Sequence, residues 1–578
     1  MAYSNKKSYH RRLLLVSLFF LSIAGVLAAR FFVLQIKDSA IYTVKAQESQ
    51  SVVKTLEAER GMIYFQDKGQ ERIPVAINKK YFNIFVSAKE IEDPINTAKV
   101  LSPLLDIPEN DLINKFNQRN SQYQILVKKI SDKSFVDQIM ALKLKGIHEE
   151  SYTLRYYPLG ETASQVIGFV AQTQDQKTTG RYGLEKYYDE VLAGKSGKFE
   201  GVKDRVGRLI RSVFSIEEPI LPGASLITTI DKNIQFKAEE ELKKSLEKWG
   251  ANSGSVIIME PKTGRILALA NQPNFDLNNY NAVEDYSLFK NNAVEGRFEL
   301  GSVLKVITMA IGLENKNLTP ETKFYDSGSV VVDGHTITNF AKKAYGDVDM
   351  NIILEKSINT GIVYAQKLIG NVAYKEYLKK FKFHEKTGID LPNEITGDIR
   401  QLYLEKRDER QIYFSNASFG QGISMSPMSL TRAYATIANG GKLVTPFIVE
   451  KTMDDKGNIS PANQTEAEQI ISLETAKTLT EMMVKVVDNG YSKSAGIKGY
   501  QIAGKSGTAN VPDDKKYSER TIQSFMGFFP ASDPKFLIMV KLDDPKAASS
   551  SDTATYVFHD LAFYLINYYN LSPDNLKN

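Results

Sequence analysis

Ser302 and Lys305 sit three residues apart where Phe298-Glu299-Leu300-Gly301 runs into the apolar stretch VLKVITMAIGL. Residues at that spacing share one face of a helix, so the Lys305 amine can reach the Ser302 hydroxyl. A neutral amine there takes the hydroxyl proton as the serine attacks a carbonyl carbon. Such a lysine must be buried or placed near other cations, since its ordinary pKa leaves it charged at neutral pH. The opening turn of a helix also aims backbone N–H groups at an oxyanion forming beside the nucleophile. Spacing alone does not single out this pair, because Ser4, Ser51, Ser245, Ser287 and Ser532 also have lysine three residues on.

Two further groups give Ser302 company. Ser357-Ile358-Asn359 follows within NIILEKSINTGIVYAQ, which reads as helical and can turn a hydroxyl and an amide toward one cleft. Lys505-Ser506-Gly507-Thr508 comes later among the small residues Ala503, Gly504 and Ala509, as in a strand whose edge a peptide backbone can join. Lys262-Thr263-Gly264 looks similar but precedes Ser302, Lys386-Thr387-Gly388 follows the Ser357 triplet by too few residues to have crossed the domain, and both read as turns. Other chemistries are poorly supplied. The chain has no cysteine, its five histidines are scattered, and no GxSxG elbow occurs. No metal or cofactor is expected. A net charge of +5 from 73 basic and 68 acidic residues carries no nucleic-acid footprint.

The elements around these residues suggest an exported, anchored protein. Residues 13–34 are apolar enough for a transmembrane helix, read as a retained anchor and not a cleaved signal peptide. Lys6, Lys7, Arg11 and Arg12 precede it and place residues 1–12 in the cytoplasm. Residues 35–222 read as an elongated mixed α+β pedestal without chemistry of its own, beginning with a helical or extended stalk over Ser39–Lys54. Helical patterning covers roughly 95–144. A boundary falls near Pro219–Gly223. Residues 223–578 then combine a long helix over Asn233–Trp249, with Glu239 and Glu240 on its surface, and a hairpin over 255–270. Strands at 501–510, 524–529 and 534–542 and a last helix over Tyr556–Tyr569 complete an antiparallel sheet with helices on its faces, an α+β fold.

The ordered set SxxK, SxN and K[ST]G resembles that of the penicillin-recognising acyl-serine enzymes. RGMI at 60, RYYPLG at 155, GLE at 183–185, TTID at 228–231, DLPNEITG at 390–397 and FGQGISMSP at 419–427 narrow the resemblance to class B penicillin-binding proteins, over nearly the whole chain. The resemblance implies a penicillin-binding, β-lactamase-like transpeptidase domain. It implies that Ser302 is acylated by a peptidoglycan stem peptide ending in D-Ala-D-Ala and that Lys305 is its base. Ser357 and Asn359 would relay protons and hold the peptide. Lys505, with Ser506, Gly507 and Thr508, would bind the substrate carboxylate, and the N–H groups of Ser302 and Thr508 would hold the oxyanion. β-Lactams would acylate Ser302. Implied partners are the lipid bilayer, a membrane glycan polymerase, and divisome or elongation proteins. The division-specific septal type is the closest match. Side-wall elongation is the alternative, and a carboxypeptidase, a β-lactamase or a non-catalytic sensor is further off. Leu300 departs from the family's proline, and Ser506 from its commoner threonine.

Overall fold

An uncharged apolar run hides its backbone polarity by closing every hydrogen bond within itself. The N-terminal segment does so as the helix Asn5–Phe32, continued by a π turn over Val33–Lys37. In this computed structural model, which describes residues 5–40, 51–173, 177–203, 209–462, 466–513 and 516–574, Tyr9–Lys37 is the one stretch long and apolar enough to cross a membrane. The chain forms two compact units, residues 1–59 with 194–223, and residues 60–193 with 224–578. In the first unit, strands Ser51–Leu56, Gly197–Lys203 and Leu209–Glu218 form a three-stranded antiparallel sheet. The expected stalk falls partly on 41–50, outside the described residues.

The second unit holds two large sheets. One has seven strands, in which Ser225–Asp231 pairs in parallel with Ile63–Gln66, and Arg72–Val86 pairs with both Gln124–Ile130 and Ile147–Tyr156. The strand Gln124–Ile130 breaks a region whose pattern suggests helix throughout. Its neighbours, the helices Pro94–Leu105, Glu109–Phe116 and Lys133–Ala141, do form. The other sheet has five antiparallel strands in the order Ile266–Gln272, Ser253–Met259, Phe536–Asp543, Lys516–Phe529 and Ala503–Asp513, leaving the last at an edge. The expected strands at 501–510 and 524–529 are thus the legs of one long hairpin.

Both faces of this five-stranded sheet are covered. On one, the helices Lys232–Trp249 and Ala554–Tyr569 pack Ile234, Ala238, Leu242 and Phe558 against Phe525 and Val540. Asp231 caps the first of these helices by accepting the N–H groups of Asn233 and Ile234. Glu239 is buried there and not on the surface. It accepts from Ala163 N and from Gln235 Nε2, both at 2.7 Å, and burial raises its pKa to about 7. On the other face lies the helix Pro427–Ala438, buried along its whole length. The helix Leu304–Glu314, whose residues Leu304 to Gly312 are all buried, is enclosed mainly by other helices. A helix apolar on every side has to be enclosed on every side.

The pedestal motifs RGMI, RYYPLG and GLE converge on one ion cluster. Glu185, fully buried, receives Arg60 Nε at 2.8 Å and Arg155 Nε at 2.6 Å, while Arg60 also bonds the Glu185 carbonyl at 2.9 Å. The scattered look of these charges in the sequence hides a single buried network. Gly168 and Gly183 let the backbone fold around it, since a Cβ at Gly168 would fall 1.8 Å from the Tyr182 carbonyl oxygen. Breaking a buried pair leaves charge without compensation. Glu185→Ala is therefore expected to cost about 3–5 kcal/mol of stability, read as a lowered thermal midpoint of the detergent-solubilised protein. Glu150→Ala, whose carboxylate meets the Tyr123 hydroxyl at the surface, serves as the control that leaves it in place.

Candidate active site

Ser302 lies in a single 3₁₀ turn, Gly301–Val303, that leads directly into the buried helix Leu304–Glu314. The turn is fixed by contacts of its backbone. Gly301 has φ +60° and donates its N–H to the Gly420 carbonyl at 3.1 Å, and the Tyr434 hydroxyl donates to the Val303 carbonyl at 2.6 Å. The residue before Gly301, Leu300, has φ −73°, within the range a proline ring would impose. The departure at this position therefore keeps the same turn. Gly507 of the edge strand presses on the turn from the other side, where a Cβ would meet Val303 Cγ1 at 2.9 Å and the Leu300 carbonyl at 3.1 Å.

Lys305 is fully buried, and its Nζ lies 2.5 Å from the Ser357 carbonyl, 2.7 Å from Asn359 Oδ1 and 3.1 Å from Ser357 Oγ. Burial pushes its pKa well below the ordinary lysine value, and the nearby Lys505 pushes in the same direction. A neutral amine has two protons and one lone pair. It can give both protons to the two carbonyl oxygens and turn the lone pair toward a hydroxyl. Ser302 and Ser357 are the hydroxyls on offer, and Ser302 Oγ has no hydrogen-bond partner among the described residues.

The Ser357 triplet is not helical, in contrast to its sequence pattern. The helix Met350–Glu355 ends just before it, Ser357 takes a left-handed φ of +55°, and a new helix, Asn359–Ile369, starts at the amide. Non-glycine residues store strain in this conformation. Here the break turns both the Ser357 carbonyl and its hydroxyl onto Lys305. A buried carboxylate holds the following turn: Asp326 accepts the Thr360 hydroxyl at 2.6 Å and the Asn339 amide at 2.8 Å, while Asn339 accepts Thr360 N at 3.1 Å.

The third group closes the site from the edge strand Ala503–Asp513. Lys505 is buried, donates to the Ser506 carbonyl at 2.9 Å, and has its pKa lowered to about 7 by burial. Ser492 donates to Ser506 Oγ, and Thr508 Oγ1 pairs with Ser550 Oγ, both at 3.2 Å. Gly301, Ser302, Ser357, Asn359, Ser506 and Thr508 all line one cleft of about 1150 Å³. The structure thus brings the three sequence groups together, with Lys305 and Lys505 in the protein beneath and Gly507 packed against the turn that carries Ser302. Sequence reasoning did not find Ser492, Ser550, Tyr434 or the Asp326 cluster, because a hydroxyl or carboxylate that supports another residue has no spacing rule.

The two decoys are accounted for. Gly264 has φ +85° in a hairpin turn, and Thr387 and Gly388 give their N–H groups to the Glu394 carboxylate at 2.7 and 3.1 Å. Other motif residues are structural as well: Asp390 accepts Ile448 N and Val449 N at 2.7 Å each, and Ser426 caps the helix Pro427–Ala438.

Residues 254–562 match the family described as the penicillin binding protein transpeptidase domain, and residues 55–228 match the penicillin-binding protein dimerisation domain. The chain is 31% identical to Stage V sporulation protein D of Bacillus subtilis, over 93% of this chain and 82% of that one. It is 28% identical to peptidoglycan D,D-transpeptidase FtsI of Escherichia coli K12, over 91% and 86%. Among solved structures, penicillin binding protein 3 of Mycobacterium tuberculosis in complex with ampicillin superposes with a TM-score of 0.68 at 25% identity, covering 90% of this chain and 98% of that one.

A Cβ at Gly420 would fall 2.2 Å from the Gly301 carbonyl, and its φ of +85° already disfavours any side chain. Gly420→Ala must therefore displace the turn that carries Ser302. A shift of that size at a reacting atom costs on the order of 100-fold in rate, and the loss is expected in the rate constant for labelling by a fluorescent penicillin.

Proposed function

The chain belongs to the penicillin-binding protein transpeptidases and is a serine-type peptidoglycan D,D-transpeptidase; we propose that Ser302 is its nucleophile and that it serves septal wall synthesis. The observation that carries the assignment is the convergence of Ser302, Ser357, Asn359, Ser506 and Thr508 on one cleft above a fully buried lysine. Ser302 Oγ attacks the carbonyl of the penultimate D-Ala while its proton passes to Lys305. The N–H groups of Ser302 and Thr508 hold the oxyanion. Collapse breaks the peptide bond, the departing amine of the terminal D-Ala takes up the proton through Lys305 and Ser357, and an ester remains on Ser302. An amine from a second stem then attacks the ester, forming the cross-linking amide and restoring the hydroxyl. Lys505, Ser506, Gly507 and Thr508 hold the carboxylate and backbone of the donor. A β-lactam enters by the same first step, but the amine released when its ring C–N bond breaks stays tethered to the acyl group through the remaining ring atoms and blocks the second.

The same reading divides the chain into a cytoplasmic stub at 1–12, a span at 13–34, a pedestal at 35–222 and a catalytic domain at 223–578. The basic residues before the span favour an inside N-terminus and a catalytic domain outside the cytoplasmic membrane. The pedestal docks a separate membrane glycan polymerase and divisome proteins. A spore-stage wall role is the second reading, favoured by the relative named Stage V sporulation protein D. Depletion separates the two: filamentous growing cells support the septal role, and normal division with defective spores the other.

Ser302→Ala is expected to abolish labelling by fluorescent penicillin while leaving the thermal midpoint within a few degrees; equal labelling of both proteins would refute the nucleophile. The pH profile follows from the two lysines. Lys305 acts when neutral, so the second-order acylation constant rises with pH until its lowered pKa is passed. Lys505 attracts a carboxylate when charged, so the constant falls again above about 7. A bell is expected, and Lys505→Arg, which stays charged, is expected to flatten its alkaline limb.

A further inference from the structure

One wall of the cleft carries charge that the proposed reaction does not use. Tyr345 and Tyr491, distant in sequence, join their hydroxyls at 3.0 Å. Lys343 Nζ stands 4.8 Å from the centre of the Tyr345 ring, and Lys356 Nζ stands 5.9 Å from the centre of the Tyr491 ring. All four residues line the cleft that contains Ser302. Lys356 also donates to the Asn489 carbonyl at 2.8 Å, and its sequence neighbour Glu355 is the carboxylate that feels its charge. Among the described residues neither Lys343 nor Lys356 has a carboxylate within ion-pair distance. A third cation, Arg410, lines the same cleft and reaches Asp333 only at 4.0 Å. The one acidic side chain in the lining is Asp552, which accepts the Ser549 hydroxyl at 3.0 Å.

In a chain whose basic and acidic residues nearly balance, 73 against 68, this wall has one sign. Like charges gathered in a cleft with low-dielectric walls focus the field on an incoming ligand. The tyrosine pair adds a directed donor. Two hydroxyls joined by one hydrogen bond have one proton left between them, and here it is free for an acceptor. An ammonium over an aromatic face is held by the ring and still has protons to give elsewhere. Two ammonium groups and a phenol O–H together match a carboxylate.

We propose that Lys343, Lys356 and the Tyr345–Tyr491 pair form a subsite for a carboxylate carried by the donor stem peptide outside its scissile D-Ala-D-Ala. The inference rests on the transpeptidase reading and adds a substrate class to it. Stems whose side chain ends in a free carboxylate are preferred over those ending in a carboxamide, and most strongly over those ending in an ammonium.

The test uses matched penicillins of graded side-chain length, each ending in a carboxylate, a carboxamide or an ammonium. Their acylation rate constants are measured on the full-length protein in detergent. The wild type is expected to favour the carboxylate over the carboxamide by ~10-fold at the best length, as a charge-assisted contact does. That ratio is expected to shrink as salt is added. Lys343 is exposed and, among the described residues, its hydrogen bonds run through its backbone, so Lys343→Glu should turn the preference toward the ammonium, and the pair Lys343→Met with Lys356→Met should bring the ratio near one. Equal rates for the three penicillins in the wild type, at every length, would overturn the subsite while leaving the transpeptidase reading intact. So would a ratio that both variants leave unchanged. Failure of all three to acylate the wild type would overturn the proposed function itself.

Discussion

Everything in the catalytic unit is organised around one amine buried away from solvent. Lys305 sits in a helix whose other residues from Leu304 to Gly312 are equally buried, and a charged ammonium in such a place costs far more than a neutral amine. The protein meets that constraint with oxygen ligands from a different helix pair, Ser357 and Asn359. Their placement in turn requires the left-handed break at Ser357 and the Asp326 cluster beneath it. Lys505 lies nearby and makes it harder still for Lys305 to be charged, while burial lowers the pKa of Lys505 itself. The lowered pKa of Lys305 is therefore a property of the fold, as much as of the Ser302–Lys305 spacing.

Scaffold and site share this economy. The helix Pro427–Ala438, buried along its whole length, spends the Tyr434 hydroxyl on the Val303 carbonyl. Gly301, Gly420 and Gly507 bring three segments into close contact around Ser302. Because the five-stranded sheet ends at Ala503–Asp513, a strand with one unpaired side lies next to that turn. An extended peptide added there would present its carbonyl to Ser302 without any movement of the sheet.

Much of this was legible in the sequence. The long helix at 232–249, the hairpin that follows it and the last helix were read nearly to their ends, because apolar period and turn residues agree there. The order of Ser302, Asn359 and Lys505 marked the site, although five other serines share its spacing. Three things were not legible. Helical patterning hid the break at Ser357, since a strained residue is held by distant partners and not by its neighbours. Gln124–Ile130 looked helical because a half-buried strand of seven residues is too short to establish its own period. Arg60, Arg155 and Glu185 are scattered along the sequence with no sign of pairing, because burial is decided by packing that brings residues 60 and 185 together.

The glycine contacts around Ser302 bear on how this protein could change under selection by antibiotics. A Cβ at Gly420 would fall 2.2 Å from the Gly301 carbonyl oxygen and one at Gly301 would fall 2.9 Å from that of Thr508, so the mutational routes to drug tolerance that pass through them are obstructed by geometry. The exposed wall around Lys343 and Tyr491 has no such restriction. Adaptive substitutions can accumulate there and alter which acyl side chains are admitted, while the machinery that attacks the ring is inherited unchanged.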